Sequence, residues 1–324
     1  MTNIPHVERL RSRALARRAG IVNPAEDAAE WGNDTTMLRG LGLGLPETMA
    51  YLYQSAPTFE EFERWILERN GGAIDPIVVA RINAALAGTL ARTRAADDGE
   101  PALTPDELAF FDEHGYVVLH DAVTPAQCRA AETAVWEFLG MDRDDPATWY
   151  AQPHGHSIWV PLLRHPAIWA NRRSPRIARA FAQLWRRDDL WASVDQVGFN
   201  PPETRHWCFP GPHLHWDASL AMPMPFGLSG ILYLTDTAAD QGAFTCVPGF
   251  HRRIESWLAE LPAGANPAEQ DLRALGAIPI AGRAGDLIIW HQALPHGSSP
   301  NRATRPRIVQ YVEMKPNDIE VSPH

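Results

Sequence analysis

The stretch GDLIIWHQALPHGSSPNRATRPRIVQYV, residues 285–312, contains a turn, an apolar run, a polar loop and a second apolar run in close succession. Gly285-Asp286 makes a turn into Leu287-Ile288-Ile289-Trp290, which reads as a buried strand because it is short, apolar and bounded by turn residues. The loop His296-Gly297-Ser298-Ser299-Pro300-Asn301 follows. Asn301 is a natural turn former, and Pro306 pushes the residue before it towards extended backbone. Arg307-Ile308-Val309-Gln310-Tyr311-Val312 then reads as a second strand, expected to run back beside the first with Arg307 at its start. Working outward, short strand-like runs dominate from about residue 190: WASVDQVGF, HLHWDASL, LSGILYLTD and GAFTCVP, with GDLIIW and RIVQYVEM after them. Turn signals at Asp240-Gln241-Gly242 and Pro248-Gly249 separate them, a spacing that predicts an all-β sandwich or barrel.

HLHWD, residues 213–217, places His215 and Asp217 two positions apart, so on a strand both side chains point to one face. With His296 they make two imidazoles and one carboxylate. That is the ligand set that holds non-haem iron(II) on one face and leaves three positions open. Arg307 offers a planar, permanently charged fork that matches the far carboxylate of a dicarboxylate cosubstrate such as 2-oxoglutarate.

The chain resembles the phytanoyl-CoA dioxygenase family of iron(II)/2-oxoglutarate oxygenases. The resemblance lies in FFDEHGYVVLHDAVTPAQC (110–128), HLHWD (213–217), GAFTCVPGFHRR (242–253) and GDLIIWHQALPHGSSPNRATRPR (285–307), and it covers roughly 103–316. It implies a double-stranded β-helix core, mainly β with helical flanks. It implies His215, Asp217 and His296 as metal ligands, and Arg307 as the 2-oxoglutarate anchor assisted by the Ser298 hydroxyl. The cofactors implied are Fe(II), 2-oxoglutarate and O2, and the reaction is oxidation of a C–H bond in a small molecule with release of succinate and CO2. Hydroxylation is the leading outcome, although desaturation or cyclisation would use the same ligands. Asp217 favours oxygen insertion over halogenation, since related halogenases leave that position without a carboxylate. Trp216 departs from the polar residue often found between the first two ligands. Two other readings stay open: a catalytically silent ligand-binding barrel, and a cupin-like Zn or Mn hydrolase or isomerase.

Other residues compete for roles. His213 shares the face of His215 and is an alternative ligand or a surface histidine. His291 reads as a packing residue, and His251, beside Pro248-Gly249, as a structural one. The Pro- and aromatic-rich loop 201–212 offers Arg205 and His206 as substrate contacts, joined by Gln196, Trp216 and, in the loop 149–156, His156. Lys315 is the single lysine among 29 basic residues, so an arginine is weak evidence by itself, and Arg307 stands out only by position.

Residues 1–102 read as a helical extension and 103–324 as the β domain, joined through the polar stretch RAADDGEPAL (94–103). Thr58 with Glu61, Asp75-Pro76, Thr104-Pro105, Thr124-Pro125 and Ser174-Pro175 each signal a helix start. The insert 254–278 reads as helical with a Pro/Gly break. The extension is expected to shape the substrate mouth, pack on the barrel or form a homodimer. A formal net charge of −10 gives no electrostatic support for nucleic-acid binding. Three dispersed cysteines argue against a disulfide framework or zinc–thiolate site. No apolar run reaches transmembrane length, and the Arg-rich start lacks the apolar core of a secretory signal, so the expected location is the cytoplasm.

Overall fold

The fold is described from a computed structural model covering residues 1–91, 100–151 and 158–316. Most of the expected linker and the candidate His156 lie outside the described residues. The strands are β1 (Tyr116–Leu119), β2 (Trp159–Val160), β3 (Trp191–Ala192), β4 (Val197–Asn200), β5 (Leu228–Tyr233), β6 (Phe244–Cys246), β7 (Ile278–Ile280), β8 (Leu287–His291), β9 (His296–Gly297), β10 (Arg307–Tyr311) and β11 (Met314–Lys315). They form an antiparallel six-stranded sheet ordered β1-β8-β5-β10-β4-β2, a three-stranded sheet β7-β6-β9 and the pair β11-β3. The expected direct pairing of the Arg307 strand with the 287–290 strand does not occur. β5 lies between them, matching Ile231 to Ile288 on one side and to Tyr311 on the other. A central strand buried on both faces suits LSGILY, all of which is buried except Ser229. Gly230 is required there, because a Cβ would sit 2.5 Å from the Val312 carbonyl oxygen.

The chain divides into two compact units. One comprises Met1–Ala96, Arg187–Val194 and the segment from Met314; the other comprises Asp97–Arg186 and Asp195–Glu313. The first therefore draws in two later segments besides the N-terminal hundred residues. It holds five helices, α1 (His6–Arg18), α2 (Pro24–Gly40), α3 (Leu45–Ser55), α4 (Phe59–Arg69) and α5 (Pro76–Leu86), with the β3–β11 pair. Thr58 and Glu61 form the expected capping box of α4, and Phe62, Trp65 and Ile66 on one face of that helix enter a core with Leu38, Leu52, Ile82 and Trp191.

The second unit carries both larger sheets and the helices α6 (Pro105–His114), α7 (Pro125–Leu139), α8 (Pro166–Arg172), α9 (Pro175–Trp185) and α10 (Ile254–Glu260). α6, α7 and α9 begin at the expected Thr-Pro and Ser-Pro signals, each with its side-chain cap in place. The insert after Ile254 is helical only over α10 and a short 3₁₀ turn at Pro267–Glu269. The two sheets share one apolar core. Phe244 of β6 packs its ring 4.4 Å from that of Trp290 on β8. The Tyr233 hydroxyl of β5 donates to Ile280 of β7 and accepts from the Phe244 N–H.

Candidate active site

Between these sheets lies a cavity of about 700 Å³, lined by residues of β5, β6, β8, β9 and β10 and by Gln196. One wall is built around His215 and His296. HLHWD is not a strand, contrary to expectation. It touches the three-stranded sheet through a single bridge, with His215 N–H donating to the His296 carbonyl at 2.8 Å and His296 N–H to His215 at 3.0 Å. Extended pairing is blocked beyond this point because the chain turns at once to bring Asp217 back over both imidazoles. Gly297 permits the approach, since a Cβ there would lie 2.4 Å from the His213 carbonyl oxygen.

Backbone carbonyls orient both imidazoles. Nδ1 of His215 meets the His213 oxygen at 2.7 Å, and Nδ1 of His296 meets the Leu294 oxygen at 3.1 Å. With Nδ1–H committed, each Nε2 faces Asp217, at 3.1 Å from Oδ1 for His215 and 3.0 Å from Oδ2 for His296. The ligand-capable atoms of the three residues lie within 4.8 Å of one another. Burial pushes the Asp217 carboxyl up, but hydrogen bonds from His215 and His296, with their charge, hold it well below the usual carboxylate range. Burial pulls His215 down, and the hydrogen bond to Asp217 outweighs it, so the net direction is up. Two imidazoles fixed at Nδ1 by backbone carbonyls, with a carboxylate kept ionised, are the donor set a divalent metal needs once it takes the place of the Nε2 protons.

Ser298 follows β9 and accepts a 2.9 Å hydrogen bond from Nη1 of Arg307, the first residue of β10. Arg307 is fully buried, and its Nε and Nη2 have no hydrogen-bond partner. Buried guanidinium N–H groups are rarely left unsatisfied, so this fork fits an anion entering from the cavity. Tyr311, two strand turns along the same face, has its phenol pushed up by burial, with the Arg307 charge opposing.

Of the remaining sequence candidates, Gln196 lines the cavity and accepts the Tyr311 N–H at 3.3 Å. Trp216 does not line it: its indole N–H donates to the Ala293 carbonyl and its ring packs against Phe250 and Trp257. Arg205 and His206 are exposed and bonded to each other, in a turn closed between Thr204 and Trp207. They too lie off the cavity lining. His213 stands edge-on to Phe209 and is absent from the triad. His291 is a packing residue, its imidazole pulled down to about 4 by burial and by nearby His251. Sequence reasoning missed Trp159, Asp195, Ser229 and Glu313, which all line the cavity. For Glu313 the signal was available, because alternation along the strand from Arg307 puts Tyr311 and Glu313 on the same face.

The sequence profile of the phytanoyl-CoA dioxygenase family matches residues 111–309, more than half of the chain and all of this constellation. The chain belongs to the phytanoyl-CoA dioxygenase family. It is thereby an iron(II)- and 2-oxoglutarate-dependent dioxygenase. Among relatives, it is 23% identical over 239 residues to the Ava biosynthesis cluster protein O of Aspergillus versicolor, a match covering 64% of this chain and 76% of that protein. It is 23% identical over 233 residues to the ectoine dioxygenase of Bordetella bronchiseptica, covering 64% and 73%. AviO1 of Streptomyces viridochromogenes Tue57 shares the fold with a TM-score of 0.50 at 17% identity, covering 69% of this chain and 100% of that one. In this phytanoyl-CoA dioxygenase family member no helix among the described residues is long and apolar enough to cross a membrane.

Proposed function

We propose that this protein hydroxylates a C–H bond of a small-molecule metabolite or natural-product intermediate, releasing succinate and CO2. In this reading His215, Asp217 and His296 hold iron(II), and Arg307 with Ser298 holds the far carboxylate of 2-oxoglutarate. The observation that carries it is the pairing of a crowded His-Asp-His cluster with a buried guanidinium that has two nitrogens, Nε and Nη2, without a hydrogen-bond partner. Iron(II) bound there with 2-oxoglutarate and dioxygen supplies the C–H oxidising chemistry. The chain's own contribution is placement. Carbonyls of His213 and Leu294 fix the ring orientation, Trp290 and Phe244 flank His296 and keep water from it, and the cavity volume suits a small molecule. The two facing antiparallel sheets support the double-stranded β-helix reading, and the ectoine and Ava relatives support a metabolite rather than a macromolecular substrate. The test is succinate formation from 2-oxoglutarate with iron(II) for the wild type, His215→Ala and Arg307→Ala. Equal succinate from all three would overturn the proposal.

A further inference from the structure

On the reading that His215, Asp217 and His296 hold iron and Arg307 with Ser298 holds 2-oxoglutarate, we propose that Tyr311 is a third anchor for the cosubstrate. Its phenolic O–H donates to the far carboxylate, beside the guanidinium and the serine hydroxyl.

Arg307 and Tyr311 are the first and last residues of β10 and, four apart, point to one face of the sheet. Extended chain puts about 13 Å between their backbones, so the phenol meets the guanidinium only by leaning back along the strand. Gly198 of β4 makes room for this. It pairs with Val309, midway between the two. A Cβ at Gly198 would lie 2.7 Å from Val309 Cγ2, 3.5 Å from Cε2 of Tyr311 and 3.6 Å from the Tyr311 hydroxyl. The phenol therefore lies over bare glycine backbone. On the far side of β4, Trp159 of β2 pairs with the same glycine, and its ring packs 4.5 Å from that of Tyr311. With no side chain on Gly198 between them, the two rings meet across β4 and brace each other. Arg307 and Ser298 both act on the phenol through side-chain hydrogen bonding, which places its oxygen at the anchor pair.

A count of donors gives the phenol its task. A carboxylate has about four acceptor sites on its two oxygens. Arg307 Nε and Nη2 have no hydrogen-bond partner, and the Ser298 oxygen already accepts from Nη1, which leaves the serine hydrogen to give. These three donor atoms leave about one site of a buried anion unmet, and an unmet acceptor is costly. A guanidinium can only donate to the phenol oxygen, so the phenolic hydrogen is available for that site. Burial pushes the phenol up and keeps the hydrogen on it. Ser298 and Tyr311 line the cavity, whereas Arg307 is fully buried. An entering carboxylate thus meets two hydroxyls at the wall and the guanidinium beneath.

The experiment uses the full chain with iron(II), without oxygen and without substrate. Two ligands are titrated: 2-oxoglutarate, and 2-oxopentanoate, which has the same length and the same metal-binding end but lacks the far carboxylate. Calorimetry measures affinity, and the absorption band formed on iron reports the metal-bound end. Tyr311→Phe removes the hydroxyl and keeps the ring against Trp159. The expected result is a loss of about ten- to hundredfold in affinity for 2-oxoglutarate, with 2-oxopentanoate unchanged. A tyrosine that only supports the fold would move both ligands alike or neither, so the second ligand keeps the test decisive even if the variant is less stable. Unchanged 2-oxoglutarate affinity in Tyr311→Phe, or an equal loss for both ligands, overturns the proposal. The underlying reading is judged on other proteins: it fails if the wild type forms no band with 2-oxoglutarate, or if Arg307→Ala binds 2-oxoglutarate as the wild type does. Where those two results hold and Tyr311→Phe still matches the wild type, only the third anchor is rejected.

Discussion

His215 and His296 exchange both backbone hydrogen bonds, so the first and last residues of the ligand set are joined main chain to main chain before any metal is considered. The tolerance of this junction is small. Gly297→Ala would drive a Cβ into the His213 carbonyl, a backbone atom that cannot rotate away. We expect a loss of about 1–3 kcal/mol in stability, together with weaker iron binding. Gly32→Ala, in the open interior of α2, should instead be neutral or stabilising by roughly 0.5–1 kcal/mol. Urea denaturation of both variants checks this, and equal midpoints would refute it.

Arg307→Lys keeps the charge and loses the planar fork. Its expected effect is a rise in the KM for 2-oxoglutarate of about ten- to hundredfold, the size of a lost charge-assisted hydrogen bond. Ser298→Ala removes only the hydroxyl that accepts from Nη1, so its rise should be smaller. Steady-state kinetics against 2-oxoglutarate decides, and an unchanged KM in Arg307→Lys would show that the fork is not the anchor.

His291 makes stability depend on pH. Its folded pKa is pulled to about 4 against an ordinary 6.5, so the unfolded chain takes up a proton where the folded chain does not. Stability is then full above pH 6.5, falls by about 1.4 kcal/mol per pH unit as the pH drops towards 4, and levels off below. Replacing the imidazole by the non-titrating ring of His291→Phe should flatten this slope. Denaturation midpoints at several pH values between 4 and 7.5 measure it, and parallel slopes for the two proteins would contradict the assignment.

Trp216 and Arg205 should behave as their positions dictate. Trp216→Ala removes the bond to the Ala293 carbonyl and the contacts with Phe250 and Trp257, costing about 2–4 kcal/mol. Arg205→Ala alters an exposed side chain and should stay within about 0.5 kcal/mol of the wild type. Thermal unfolding compares them, and a similar loss from both would be inconsistent with this packing.

Much of the molecule was legible because its signals are local. Thr-Pro and Ser-Pro starts marked α6, α7 and α9, and the HGSSPN loop separated His296 from His291. What stayed hidden depends on partners distant in sequence. Whether β5 or β8 flanks β10 is settled by which apolar runs bury each other, and those runs look alike. HLHWD has the alternation of a strand, yet the turn that carries Asp217 over both imidazoles ends its pairing after one bridge. Trp216 shares the wet, aromatic character of a substrate contact, and only its hydrogen bond to Ala293 shows that it faces the core. Asp195 and Ser229 look like ordinary strand-end polar residues until neighbouring strands bring them to the cavity wall with Glu313.

The helical unit draws in Arg187–Val194 and the segment from Met314 as well as the N-terminal residues. The polypeptide thus passes between its two units four times, and neither can be excised by a single cut. Removing the first hundred residues would strand Trp191, which is buried among helices of that region. An unsupported tryptophan on an open strand end invites aggregation. Any trimming or domain-grafting experiment must therefore treat the helices and the β domain as one interlaced chain, not as beads on a string.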